Sequence, residues 1–203
     1  MNKINREFFQ RNTITVAKEL LGKVLVHEIH GLKLAGKIVE TEAYLGLEDK
    51  AAHSFGGKRT PRVEVMYGKA GISYIYLIYG MYYCFNVITR KEDIPEGVLI
   101  RALEPLEGFD EMAVNRFNTT YDKLTKLQVK NLTNGPGKLC IAMTIDKSLN
   151  KNDMCVNNNF YIADYNFRDF EIVSTKRIGI DYAEEYKDLL WRFYIKDNIN
   201  KIY

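Results

Sequence analysis

The sequence predicts one mixed domain, α/β or α+β, whose sheet is largely antiparallel. Three observations predict it. A chain of 203 residues suits one sizeable core and is short for two. Runs rich in β-branched and aromatic residues alternate with turn residues across 23–105, one pair of them joined by a tight turn near residues 79–81. From 107 to 145 the pattern becomes helical, and no internal repeat or sharp linker divides the chain.

Thr15 is the predicted cap of a first helix over VAKELL, with Gly22 as its stop. KVLVHEIHG (23–31) reads as a strand ending in a turn and LKLAGKIVETEAYL (32–45) as the next, with Gly31 and Gly36 near bends or bulges. Residues 47–66 form a polar, Gly-containing connector, long enough to have a task or to be mobile. GISYIYLIYGMYYCFNVIT (71–89) reads as two strands around Gly80, and EGVLIRALEP (96–105) as another, ended by Pro105. Helices are predicted over 107–117 and 121–132. A third, over 136–145, has Asn134 as its cap and Pro136 near its first turn. Asn-rich turns fill 150–159, and the tail returns to strands in 171–180 and 189–197 around an acidic turn or short helix.

Hydrophobic residues make up 46% and charged residues 27%, the balance of a soluble globular protein. The start, MNKINREFFQRNTIT, has no leader pattern, and no apolar run is long enough to span a bilayer, so a cytoplasmic location without membrane attachment is expected. A net charge of +3 permits nucleic-acid binding without selecting it. Cys84, Cys140 and Cys155 are widely spaced and odd in number, which argues against a disulfide framework; Cys84 reads as a small buried hydrophobe.

Several motifs fail on spacing. His27, Glu28 and His30 do not make HExxH, and on a strand His27 and His30 point to opposite faces, so no metal site is expected. NGPGKL (134–139) lacks the first glycine and the Ser/Thr of a phosphate loop, although backbone amides at a helix start beside Lys138 could hold a DNA phosphate. The HxE and PCxxC pattern of zinc deaminases is absent.

Two features remain. In an extended VETEAYLG (39–46), Glu40, Glu42 and Tyr44 share one face. Either the glutamates are solvated, or one carboxylate works beside an aromatic platform. Tyr67, Tyr74, Tyr76, Tyr79, Tyr82 and Tyr83 crowd into one stretch. They suit sheet packing, and equally a pocket that stacks on a purine or a wedge that fills the gap left by an extruded base.

LLGKVLV (20–26), KIVETEAYLG (37–46), DKAAHS (49–54), GGKRTPR (56–62), YIYLIYGMYYCFNV (74–87), LIRALEP (99–105), NGPGKLC (134–140) and RIG (177–179) occur in order. On these strings the chain closely resembles the alkyladenine (3-methyladenine) DNA glycosylase family, the single-domain purine glycosylases of bacteria and mammals. The resemblance covers nearly the whole chain. It implies an α+β fold: a single domain, 1–203, around a curved, largely antiparallel sheet with peripheral helices, acting as a monomer on damaged double-stranded DNA without metal or cofactor. The implied activity is monofunctional hydrolysis of the bond between sugar and a flipped damaged purine in base excision repair. The implied location is the nucleoid.

By the same resemblance Glu42 matches the general base that activates water, and Arg101 the arginine that holds water and carboxylate in place. Tyr44 and Tyr76 match the walls that sandwich the base, His53 lines the pocket, and Asn86 discriminates against the exocyclic amino group of guanine. Tyr79 matches the side chain inserted into the duplex. Lys58, Arg59, Arg62 and Lys138 are candidate phosphate contacts. No lysine is implicated in an imine, so strand cleavage is not expected. The rival readings are a damaged-DNA-binding protein without catalysis, an enzyme for a different lesion, and a free-nucleoside hydrolase. Intact Glu42 and Arg101 argue against the first, and the wedge Tyr79 against the last.

Overall fold

A computed structural model describes residues 2–196 and 198. Its frame is an antiparallel sheet, nine-stranded among the described residues, with order β1-β7-β2-β3-β6-β5-β4 and with β9 joining β3 to β8. The strands are β1 (Asn2–Lys3), β2 (Val24–Ile29), β3 (Leu32–Tyr44), β4 (Ser73–Ile78), β5 (Tyr82–Thr89), β6 (Glu96–Glu107), β7 (Phe160–Asp164), β8 (Ile172–Thr175) and β9 (Arg192–Ile195). The helices are short and peripheral: α1 (Arg6–Phe9), α2 (Thr13–Glu19), α3 (Phe109–Phe117), α4 (Lys126–Lys130) and α5 (Pro136–Ala142). The α+β class is as the sequence predicts.

The long strand β3 organises the rest. Its first half pairs with β2, while Glu40, Thr41 and Glu42 pair with β9, and β6 runs along its other edge. Register shifts against β6 fall at 35/36, between 38 and 40, and at 40/41. Such bulges bend a strand and re-aim its side chains. Pro105 sits opposite Gly36 beside one of these shifts, so β6 does not end there and runs on to Glu107. A proline at a bulge forfeits no regular ladder bond.

The core lies under α2 and α5. Leu20, Leu25, Ile38, Phe85, Ile100, Leu103, Met112 and Phe160 are fully buried. Each such side chain contributes about 1.5–3 kcal/mol relative to an exposed one. The Thr41 hydroxyl donates to the Ala17 carbonyl at 2.8 Å, fastening α2 to β3.

Three further local expectations are corrected. Asn12, not Thr15, caps α2, its side chain accepting from the N–H groups of Ile14 and Thr15, so the helix begins at Thr13. The helix ends at Glu19 with Leu20 as its C-cap, and Gly22 follows in a left-handed turn where φ is +79° and a Cβ would lie 2.6 Å from the Phe170 ring. The expected helix over 121–132 splits into a 3-10 turn and α4, because Thr125 and Gln128 form a capping box that starts a new helix. Asn134 does not cap α5. Gly135 holds that position, and Asn134 accepts from Lys138 Nζ at 2.9 Å.

β1, α1 and β7 carried no clear sequence signal. The tail strands are shorter than expected, and Asp197 of the second lies outside the described residues. His27 is buried with Nδ1 hydrogen-bonded to the Met143 carbonyl at 2.8 Å, while Glu28 and His30 are exposed. No described helix is long and apolar enough to cross a membrane.

Candidate active site

The end of β3 carries the acidic centre. Glu42 is completely buried, with β9 paired along that edge of β3 and the loop after β8 laid against its side chain through the Ile178 N–H. Its Oε2 accepts from the Tyr44 hydroxyl at 2.8 Å and its Oε1 from the Ile178 N–H at 2.8 Å. Arg101 Nη1 lies 3.2 Å from Oε1. The same guanidinium donates through Nε to Glu40 Oε1 at 3.1 Å, and Arg192 reaches that oxygen at 2.7 Å. Glu40, Arg101 and Glu42 therefore form a buried charged row, and the reading of both glutamates as solvated is wrong for this fold.

Above this row lies an aromatic pocket lined by Tyr44, His53, Tyr74, Tyr76 and Asn86, among others. Strand alternation brings Tyr74 and Tyr76 to one face of β4, and the β4–β5 register sets Asn86 opposite Tyr74, to whose carbonyl it donates at 3.2 Å. His53 Nδ1 shares a 2.7 Å hydrogen bond with the Tyr74 hydroxyl, and its ring meets Tyr76 edge-on at 4.6 Å. Burial, with Arg62 nearby, lowers the imidazole to about 4, so His53 is neutral at physiological pH. Burial likewise pushes the Tyr74 hydroxyl up to about 12. Burial and the adjacent Glu42 carboxylate hold Tyr44 well above the ordinary phenol range, which keeps it a donor. Cys84, beside Tyr76, is buried and pushed up to about 11, as an unreactive thiol would be.

The pocket opens into a wide cleft of roughly 1480 Å³ with its mouth. Tyr44, His53, Tyr76, Tyr79, Arg62, Arg101 and Lys138 line it. Glu42 does not; it sits one layer behind, bonded to Tyr44, Arg101 and Ile178, which do. Tyr79 stands at the tip of the β4–β5 hairpin, 81% exposed, in a left-handed conformation with φ +54° followed by Gly80 at +69°. Both values suit the type I′ turn that matches strand twist.

The four candidate phosphate residues divide. Arg62 lines the cleft with its guanidinium 5.1 Å from the Tyr76 ring, and Lys138 lines it while bonded to the side chains of Asn131 and Asn134. Lys58 and Arg59 are exposed on the neighbouring loop outside the cleft. Arg59 is engaged by Glu64 and Asp93. Sequence reasoning missed two cleft residues, Arg116 and Tyr182, and the buried pair Arg177–Asp49 behind Tyr44. The pair's partners lie 128 positions apart, and the only signal was their presence in the strings DKAAHS and RIG. Among the described residues no His/Cys/Asp/Glu group is arranged to hold a metal ion.

A pocket of clustered aromatics beside a buried carboxylate, opening on a cleft with basic residues and a protruding tyrosine, fits an enzyme that acts on nucleic acid. The chain belongs to the methylpurine-DNA glycosylase family, whose sequence model matches residues 7–199. It is similar, at 60% identity over 198 residues, to a protein of Desulfitobacterium hafniense (strain Y51) named "Putative 3-methyladenine DNA glycosylase", covering 98% of this chain and 97% of that one. Proteins of the same name from Clostridium tetani (strain Massachusetts / E88) and Clostridium botulinum (strain Hall) are 59% and 54% identical over 196 residues. In both cases the match covers 97% of each chain. The protein is thus a DNA glycosylase, a DNA-repair hydrolase that acts on damaged DNA.

Proposed function

We propose that this glycosylase hydrolyses the N-glycosidic bond of a flipped damaged purine, 3-methyladenine, hypoxanthine, ethenoadenine or 7-methylguanine, with water activated by Glu42. The observation that carries this reading is the setting of Glu42. It is the buried carboxylate directly behind the cleft wall, and its three partners include Tyr44 and Arg101 of that wall. The Tyr44 O–H donates to Oε2, which shows no other hydrogen bond among the described residues. The nucleophilic water takes that same donor position once a nucleotide enters and the tyrosine hydroxyl turns aside.

The chemistry follows from charge. As the bond from C1′ to the purine nitrogen breaks, its electron pair leaves with the base and positive charge builds on the sugar, where the nearby carboxylate stabilises it. Water forms the new C1′–O bond and Glu42 takes its proton. Arg101 holds the carboxylate and the water. Alkylation makes the base a good leaving group, whereas hypoxanthine demands more assistance. Tyr44 and Tyr76 sandwich the base, neutral His53 contacts it, and Asn86 clashes with the exocyclic amino group of guanine. Tyr79 fills the gap in the duplex, which offsets part of the few kcal/mol that flipping costs.

Arg62 and Lys138 hold phosphates at the cleft, Lys58 extends the contact, and Arg59 joins only by exchanging its carboxylates for phosphate. The protein works as a single domain and a monomer. No lysine supplies an imine, so the product is an abasic site in an intact strand.

Duplexes carrying one defined purine lesion each test this reading. Free base is expected in solution, with strand breaks appearing only after alkali. Strand cleavage without alkali would contradict the monofunctional mechanism. Tight binding with no base released from any lesion would favour a damage-binding protein instead.

A further inference from the structure

Behind Tyr44 lies a charged pair that the reaction as described does not use. The side chains of Arg177 and Asp49 are both completely inaccessible. Burying such a pair often contributes no more stability than apolar residues of similar volume. Arg177 also leaves its Nε buried without a hydrogen-bond partner, a further cost. The contacts it does make lead towards the cleft. Nη1 donates to Asp49 Oδ2 at 2.6 Å and to the carbonyl of Ala43, the residue between Glu42 and Tyr44, at 2.9 Å. Nη2 donates to Asp49 Oδ1 at 2.8 Å and to the Tyr186 carbonyl at 3.3 Å. The guanidinium carbon lies 4.7 Å from the Tyr44 ring centre and 5.0 Å from that of Trp191.

Asp49 is held in turn. Its carboxylate accepts from the N–H groups of Leu45 and Ala51, fixing the loop that leads to His53. The residue after Arg177 supplies the N–H that Glu42 Oε1 accepts. Three separate segments, the end of β3, the 45–53 loop and the 176–186 loop, are thus pinned at one buried point. They bring Glu42 and Tyr44, His53, and Ile178 with Tyr182 to the site.

We propose that Arg177 is a positioning residue of the glycosylase: clamped by Asp49, it sets the plane of the Tyr44 ring and, through the Ile178 N–H, the orientation of the Glu42 carboxylate. This rests on the reading of Glu42 as the base. The role requires arginine rather than any cation, because only a planar fork grips both carboxylate oxygens while it lies against an aromatic face. A lysine would keep the charge and lose the geometry.

The test is single-turnover base release from a hypoxanthine duplex between about pH 5 and pH 9, where a general base gives an acid limb. It compares wild type with Arg177→Lys, Asp49→Asn, Ile178→Pro and Glu42→Gln. Circular dichroism and the emission of Trp191, the sole tryptophan, check folding. Arg177→Lys and Asp49→Asn are expected to slow release by roughly 100-fold at neutral pH, the scale of a misplaced reacting group, with little change in duplex affinity. Their acid limb should move to higher pH, because the Ile178 N–H is displaced from Glu42 Oε1 and a carboxylate that loses a donor is harder to keep ionised. A merely structural role would scale the rate and leave the limb in place.

Folded variants with the wild-type limb would overturn the proposal. Should neither fold, Ile178→Pro decides, since it removes the N–H and keeps the ion pair: a shifted limb supports the link and an unshifted one refutes it. A fully active Glu42→Gln would overturn the reading of the base itself, and the proposal with it, independently of how the Arg177 variants behave.

Discussion

At the scale of single residues, the site depends on placing charge where water is excluded. Arg101 serves two buried carboxylates, Glu40 and Glu42. Its removal leaves Glu42 with hydrogen bonds but no direct cation. Arg101→Gln is therefore expected to destabilise the fold by about 3–5 kcal/mol, as broken buried pairs do, measured by urea denaturation. Tyr44 separates two roles in one side chain. Tyr44→Phe keeps the ring and should bind a lesion duplex as wild type does, while Tyr44→Ala should lose about 1–3 kcal/mol of affinity, the value of one stacked base. Equal affinity in all three proteins would remove Tyr44 from the pocket wall. The residues on this wall were legible because they cluster in short unusual strings. The burial of Glu40 and Glu42 was not legible from alternation, since their partners Ile178 and Arg192 arrive from about 140 to 150 residues downstream, with the loop after β8 and with β9.

At the scale of elements, alternation and turn chemistry were reliable guides and end points were not. The β4–β5 hairpin was readable from its aromatic runs around Gly80, whereas α2 starts two residues before Thr15 because Asn12 is the better-placed cap. β6 passes its proline because a bulge absorbs it, which no local pattern announces. The hairpin tip also holds a trade between stability and function. A tyrosine with φ +54° costs about 1–2 kcal/mol relative to a residue suited to that region. Tyr79→Asn creates Asn-Gly, the favoured type I′ pair, and should raise the melting temperature. The same change removes the wedge, so flipping, followed by 2-aminopurine fluorescence beside the lesion, should weaken. A less stable Tyr79→Asn, or one that flips as wild type does, would count against this account of the tip.

At the scale of the whole molecule, acid stability follows from groups buried in the state they hold at neutral pH. His53 is lowered to about 4 and His27 is lowered by burial too. For both, the unfolded chain binds protons more readily than the folded one. Their contribution is fully present above the ordinary histidine value of about 6.5 and falls as pH drops towards the folded values. Asp164, held well below the usual range chiefly by Arg168, adds a loss of the same sign at lower pH, although its exposure to solvent weakens the effect. The melting temperature should decline below about pH 6.5, and His53→Gln should flatten that decline between about 6.5 and 4. An unchanged slope in the variant would show that His53 is not buried neutral. DNA affinity should fall steeply with salt, since the cleft offers arginine and lysine to phosphates and the net charge of +3 is modest.

The central claim, that Glu42 activates the water, is tested most directly by single-turnover base release under saturating enzyme, wild type against Glu42→Gln, on the lesion duplex that wild type cleaves fastest. A loss of roughly 100- to 10,000-fold with unchanged duplex affinity is the predicted result, the range set by a general base. Equal rates in the two proteins would contradict the mechanism and return the search for the base to the remaining groups of the cleft.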